Sequence, residues 1–316
     1  MNLERAVVEV FGGCNYSCEM CPQTTGRGAS WTRKMSLHMF EDILDQLPGN
    51  PIINLEGSGE PTMAKDLPLY VEACTKRGLR SFMFTNGSYF SGDLMKDTID
   101  AGLSFARFSC IGYDRELYKK WMSIDNFQLL YDNISAAKDY IEKYNADTKL
   151  SSYHLILDNS NIDHEVQCYR KNFIDKLGIT GYIWKMHNWS GNWVPEYGRE
   201  SPRKRTCGRP FAPEITIRAG GINGMKGAVT PCCQTMGPPN EDKSVLGHFQ
   251  NQTFEQIWYG DEYNKLRKAH EMEDWPDYCQ NCDFLIDDPN VLVWTNDKDF
   301  KQHKMLGATD LSKYRK

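Results

Sequence analysis

Three cysteines stand close together near the start of the chain, in Cys14-Asn-Tyr-Ser-Cys18-Glu-Met-Cys21. Three thiolates at this CxxxCxxC spacing cannot all pair into disulfides with one another, but they can hold three irons of a cubane cluster. A 4Fe–4S cube has four irons, so one is left open for chemistry, as the fourth position is on a catalytic zinc. The alternative is a structural zinc knot that recruits a fourth His or Cys. A second group lies in the last third of the chain: Cys207, Cys232, Cys279 and Cys282. The final pair is a CxxC, which on spacing alone suits zinc and iron–sulfur equally. Cys233 follows Cys232 directly and could replace it as a ligand, stand as a spare thiol beside a substrate, or be a packed small side chain. Cys74, Cys110 and Cys168 fall in helix or strand patterns and read as core. The total of 11 is odd, and MNLERAVVEVFGG is no export signal, so a disulfide framework is a poor explanation.

Polar signals recur at the ends of predicted strands. Glu56-Gly57-Ser58-Gly59-Glu60-Pro61 follows the second strand, Thr85-Asn86-Gly87 ends the third, Ser109 lies on the fourth, and Leu157-Asp158-Asn159 ends the fifth. Each alone is ordinary turn chemistry. Four in series behind a CxxxCxxC are hard to attribute to turns.

The elements that would position these residues alternate over the first 190 residues. Apolar, β-rich runs occur at 6–11, 52–55, 81–85, 105–111, 152–157 and 182–186, with helical patterns at 36–47, 66–76, 92–101, 127–144 and 163–177 between them. Gly78, Gly102 and Gly178 sit just past helix ends, where a C′ glycine is expected. Six β–α repeats predict parallel strands with right-handed helical crossovers. Six are too few to close an eight-stranded barrel, so the expectation is an α/β fold, an open partial (β/α)6 barrel, with ligands at the C-terminal ends of the strands. Residues 191–206 read as a linker rich in Gly, Pro and charge. Residues 207–285 form a small C-terminal α+β module: a hairpin from 213–218 and 227–230, a helix over about 254–270, then CQNC. Residues 286–316 are polar and are assigned no structure.

Cys14, Cys18 and Cys21 and the strand-end residues together resemble the radical S-adenosylmethionine (SAM) superfamily. That resemblance implies a cluster whose open iron binds the amino and carboxylate groups of SAM, with formation of a 5′-deoxyadenosyl radical that takes a hydrogen atom from the substrate. Glu56–Pro61 is similar to the family's GGEP motif, with Ser58 in place of its first glycine. Gly59 and Glu60 would hold the SAM ammonium, where a charge-assisted hydrogen bond suits a carboxylate. Thr85 and Asn86 match the family's TNG, Ser109 would reach the ribose or carboxylate, and Asn159 would line the adenine pocket. Met20 stands where the family often has an aromatic residue, and a flexible thioether can fill that space. The order CGRPF, GAVTPCCQ, LGHF, FEQIWYGDEYNKLRKA and CQNC resembles the twitch domain, a shortened SPASM domain, and Gly227 to Cys232 keeps its Gly-x₄-Cys. The implied cofactors are two 4Fe–4S clusters and SAM, and the implied partner is a low-potential electron donor such as flavodoxin or ferredoxin.

The bulk properties exclude little. The net charge of −5 gives no general electrostatic reason to bind nucleic acid or an anionic membrane. No window approaches the roughly 18 apolar residues of a membrane span, and a cytoplasmic location is the expectation. The leading expectation is an oxidoreductase or epimerase acting on a small sugar, aminocyclitol or nucleoside, with Cys233 as a hydrogen-atom donor in the epimerase version. A maturase that modifies a ribosomally made peptide is the alternative, and a leader-binding domain has no room ahead of Cys14. A non-catalytic metal-binding module is a third reading. His187, Trp189 and Trp193 could line a substrate site, though packing is the commoner role. The basic run Arg199, Arg203, Lys204, Arg205 and Arg209 reads as a solvated loop.

Overall fold

A computed structural model of the chain describes residues 1–23, 33–191, 206–235, 243–285 and 291–300. Six parallel strands alternate with helices: β1 (Arg5–Val8), β2 (Ile52–Asn54), β3 (Ser81–Thr85), β4 (Phe105–Ser109), β5 (Lys149–Leu155) and β6 (Thr180–Trp184). The helices are α1 (Leu37–Gln46), α2 (Leu67–Lys76), α3 (Gly92–Asp100), α4 (Arg115–Met122), α5 (Phe127–Tyr144) and α6 (Ile162–Tyr169). The helix α6 runs on through a π segment, Arg170–Ile174. Three later strands, β7 (Glu214–Arg218), β8 (Ala228–Thr230) and β9 (Gly247–His248), extend the sheet beyond β1. The last strand, β10 (Leu292–Thr295), covers its other edge. The order is β10-β6-β5-β4-β3-β2-β1-β7-β8-β9, so β1 and β6 do not meet and the barrel stays open. The β7 strand joins parallel to β1, and β7–β8 form the expected antiparallel hairpin.

Alternation along each strand divides the residues between two faces. Ala6, Val8, Ile53, Leu55, Met83, Ala106, Phe108 and Ile183 pack into one apolar core with helix residues such as Phe40, Tyr70, Ile99 and Ile134. The opposite set faces the barrel lumen: Arg5 on β1, Asn54 and then Glu56 from β2, Phe82 and Phe84 on β3, Arg107 and Ser109 on β4, Tyr153 on β5, and Tyr182 on β6. The core of hydrocarbon fixes which face is concave, because helices can cover only the outer one.

Three expectations are corrected. The helix expected over 254–270 is two, Phe254–Trp258 and Asp261–Glu271, because Gly260 caps a fresh start before two acidic residues. The tail assigned no structure contains β10, which pairs antiparallel with β6. Cys168 is not core: it is half-buried on α6 with its Sγ 3.5 Å from His164 Nε2. Cys74 and Cys110 are fully buried as expected. Trp193, Arg199, Arg203, Lys204, Arg205 and residues 301–316 lie outside the described residues. Among the described residues, no helix is long and apolar enough to cross a membrane.

Candidate active site

Cys14, Cys18 and Cys21 lie on the loop after β1. The Tyr16 backbone N–H donates to Cys14 Sγ at 3.4 Å, and Cys21 N–H donates to the Cys18 carbonyl at 3.0 Å, so the loop is wound around its own sulfurs. Burial, and next the Glu60 carboxylate, push the Cys14 thiol up to about 12. Burial, then Cys21 and Cys14, push Cys18 well up. Lone thiols here stay protonated, and iron would supply the positive charge that makes them thiolates. Met20 is buried in the core against this loop.

The loop after β2 is seated on the cysteine loop. Glu60 N–H donates to the Gly13 carbonyl at 2.8 Å, and a Cβ on Gly59 would overlap the carbonyl oxygens of Phe11 and Gly13. Only glycine permits that approach. Glu60 is buried, and Oε1 accepts from Thr62 N–H at 3.0 Å and from the Thr62 and Thr85 hydroxyls at 2.6 Å. Its Oε2 accepts from Asn86 N–H at 2.6 Å. Burial still raises its carboxyl above the ordinary value against those bonds. Glu60 thereby locks the end of β3 to the loop. Asn86 Nδ2 donates to Asn15 Oδ1 at 2.9 Å, which ties the same strand end to the cysteine loop.

Ser58 faces elsewhere than its place in the motif suggests. Its N–H and hydroxyl donate to Glu9 Oε2 at 3.0 and 2.5 Å, and Arg218 Nη1 donates to its Oγ at 3.1 Å. Glu9 also accepts from Ala219 N–H at 3.2 Å and pairs with Arg33 at 3.4 Å and Arg218 at 3.7 Å. Burial opposes the Glu9 charge, but Arg33, Arg218 and Ser58 outweigh it and hold the carboxyl below the usual range. The sequence reading missed Glu9 and Arg218. Their signal was an acid and a base at adjoining strand ends, visible only once β7 is placed beside β1. Ser109 lies at the end of β4 on the lumen side, and Asn159 is exposed in the turn after β5. Glu165 of α6 holds that turn by accepting from Leu157 and Asp158 N–H groups at 2.8 and 3.1 Å.

The second thiol group encloses a cavity. Cys207, Cys232, Cys279 and Cys282 line it together with Ser190, Arg209, Pro210, Gln234, His270 and Phe284. Cys232, Cys279 and Cys282 each feel the charge of others in the set. Among the described residues, no three His, Cys, Asp or Glu side chains converge on a point that could hold a single metal ion. Thiols spread around a cavity are the arrangement a cubane needs, because irons stand between its ligands. Cys233 is not in this lining. Arg209 Nη1 donates to its Sγ at 3.4 Å, and burial, opposed by Arg209, pushes its thiol up to about 11. His187 packs on Trp189 with ring centroids 4.3 Å apart and on Phe284 at 5.8 Å.

On the lumen face aromatic rings surround the Arg107 guanidinium. The Arg107 guanidinium lies 3.8 Å from the Tyr182 ring centroid and 5.1 and 5.3 Å from those of Phe82 and Phe84, and its Nε donates to Ser151 Oγ at 3.2 Å. Such stacking holds a guanidinium in place while leaving donors on its edge.

Comparison with known proteins accords with this geometry. A model of an iron–sulfur cluster-binding domain, SPASM, matches residues 224–283. An S-adenosyl-L-methionine-dependent 2-deoxy-scyllo-inosamine dehydrogenase from Niallia circulans is 22% identical over 302 residues, 92% of this chain and 94% of that protein. An Fe-coproporphyrin III synthase from Methanosarcina barkeri is 31% identical over 101 residues, 31% of this chain and 25% of that protein. An uncharacterised protein from Methanocaldococcus jannaschii is 28% identical over 42% of this chain. For these last two the chain spans less than half of the relative's own length. Among solved structures, BtrN in complex with AdoMet and 2-DOIA superposes with a TM-score of 0.58 at 19% identity, covering 89% of this chain and 94% of that one. SuiB of Streptococcus suis bound to the precursor peptide SuiA gives 0.59 at 13% identity, covering 84% and 67%. At these identities the likeness is one of fold. A model of the radical SAM superfamily matches residues 8–165, half of the chain, and the chain belongs to that superfamily.

Proposed function

We propose that the chain dehydrogenates a small hydroxylated molecule of the sugar, aminocyclitol or nucleoside type, held in the lumen between the two thiol groups. The observation that carries this reading is the cavity ringed by Cys207, Cys232, Cys279 and Cys282. Four thiolates give an iron–sulfur cluster a full set of protein ligands, which suits it to accept an electron rather than to bind a substrate. The full-length similarity to a 2-deoxy-scyllo-inosamine dehydrogenase supports the same reading.

The cofactors of a radical SAM protein with a SPASM-type domain are SAM, its 4Fe–4S cluster and further iron–sulfur. When bound, SAM with its cluster supplies a carbon-centred radical able to remove a hydrogen atom from an unactivated C–H bond. The rest falls to the chain. Cys14, Cys18 and Cys21 would ligate three irons. The loop through Gly59 and Glu60, with Met20, Thr85, Asn86, Ser109 and Asn159, is the proposed SAM wall. In this reading Ser58 offers only its backbone carbonyl, since its N–H is taken by Glu9 and its hydroxyl by Glu9 and Arg218. Arg107, fixed by its rings and Ser151, offers donors to a substrate hydroxyl. Residues 1–190 would then act as the radical barrel and 207–285 as the cluster module, with a flavodoxin- or ferredoxin-type protein as electron donor.

The test is an anaerobic reaction with reductant, SAM and an aminocyclitol deuterated at its carbinol carbons. Deuterium in 5′-deoxyadenosine together with a ketone product is the expected result. A second reading, epimerisation, is supported by the position of Cys233, a thiol outside the four-cysteine lining and near Glu56 and Tyr153 of the lumen face. Solvent deuterium at the reacting carbon with no ketone would replace the first reading by the second. The peptides bound in SuiB and anSMEcpe structures make a peptide panel the natural control.

A further inference from the structure

We propose that Glu56 is the group that takes the hydroxyl proton of the substrate as its carbinol carbon is oxidised; the inference rests on the dehydrogenase reading. Glu56 belongs to the lumen face. Leu55 before it is fully buried in the helix-side core, and Asn54 two residues back shares its direction. Glu56 is half-buried, and strand alternation puts it on the lumen face with Asn54. It sits two residues before the loop that meets the cysteine loop, and it is within electrostatic reach of Cys233 on the auxiliary side. It therefore adjoins the loop seated on the cysteine loop and lies near Cys233, beside the second thiol group.

Its partners leave it available. Asn54 Nδ2 donates to Oε1 at 2.9 Å, and among the described residues this is the one side-chain hydrogen bond it receives. The charged and titratable groups that face it are Arg5 on β1, Arg107 on β4, Tyr153 on β5, Glu214 on β7 and Cys233 after β8; β3 contributes the rings of Phe82 and Phe84. Arg5 is paired with Glu214 at 3.7 Å, and Arg107 is engaged by Tyr182 and Ser151. Burial, opposed by Asn54 and Arg5, pushes the Glu56 carboxyl up to about 7, near the value that serves a base at neutral pH. Loss of a hydrogen atom from R₂CH–OH leaves R₂C•–OH. The O–H bond then breaks, its proton goes to the Glu56 carboxylate and C=O forms; the remaining electron would be taken by the oxidised iron–sulfur cluster that Cys207, Cys232, Cys279 and Cys282 would hold.

The experiment compares wild type, Glu56→Gln and Glu56→Asp, each reconstituted anaerobically, with carbinol-deuterated 2-deoxy-scyllo-inosamine as probe. Infrared titration of the protein without substrate should show a carboxylic C=O band that disappears as pH rises through about 7, absent in Glu56→Gln and retained in Glu56→Asp. With probe, Glu56→Gln should still move deuterium into 5′-deoxyadenosine while ketone formation falls about 10²-fold or more and loses its rise near neutral pH. No carboxyl titrating between pH 5 and 9, or ketone at the wild-type rate with the wild-type pH profile, would overturn the Glu56 assignment alone. An epimer in place of a ketone from wild type would overturn the dehydrogenase reading and the assignment with it.

Discussion

Both oxygens of Glu60 accept hydrogen bonds from the chain itself, so an amide at this position cannot satisfy all four donors. Glu60→Gln should keep the iron content but weaken SAM binding by about 1.5–3 kcal/mol, the range for a lost bond to a charged group. Equilibrium dialysis measures this, and unchanged affinity would show that the loop does not hold SAM. Glu56 has a signature in stability as well as in turnover. Its folded value, about 7, is above its unfolded value of 4.5. The folded state therefore holds the proton more tightly than the unfolded state does. Stability from this group is greatest below pH 4.5 and falls as pH rises to 7, by roughly 3 kcal/mol at most. Glu56→Gln should flatten that part of a Tm-versus-pH curve. At this scale the sequence disclosed what short spacing can disclose: the thiols, the Glu56–Pro61 loop and Thr85-Asn86. It could not disclose where Ser58 points, because the carboxylate that claims its hydroxyl lies 49 residues earlier. Nor did Arg107 stand out, since the alternation of Phe-Ala-Arg-Phe-Ser gives a face but not which face is concave.

The loop containing Gly59 and the loop containing Cys14 behave as one element because their backbones touch. Gly59→Ala would drive a methyl group into the carbonyls of Phe11 and Gly13. It should abolish SAM cleavage, with most of the iron retained, read as 5′-deoxyadenosine against iron per chain. Full cleavage by the variant would mean that the loop can move aside without loss. Strands and helices of the barrel were legible because each carries its own period and its own stop. The runs at 81–85 and 127–144 coincide with β3 and α5. The elements that were not legible lack a local period. The helix α4 is eight residues long and is announced only by Asp114, whose side chain accepts from Leu117 N–H at 2.9 Å. The four residues of β10 sit among polar neighbours, and their partner β6 ends at Trp184, far back in the chain. That pairing matters physically, because without β10 the β6 edge would present unpaired backbone groups.

For the whole molecule, the two thiol groups predict about eight irons per reconstituted chain, four to each cluster. Alanine at Cys14, Cys18 and Cys21 should leave about four, and so should alanine at Cys207, Cys232, Cys279 and Cys282. Cys233→Ala should leave all of them, since Cys233 is not among the residues that line the cavity; a loss of about four would make it the ligand in place of Cys232. The two groups are joined through Glu9. One carboxylate receives the Ser58 backbone and hydroxyl from the loop after β2, the proposed SAM wall, and Arg218 and Ala219 from the strand that leads into the SPASM-type segment. A ligand that shifts Ser58 shifts the group to which β7 is bound. Linkage then runs both ways: whatever factor SAM contributes to the affinity of the module for its cluster, the cluster returns to the affinity for SAM.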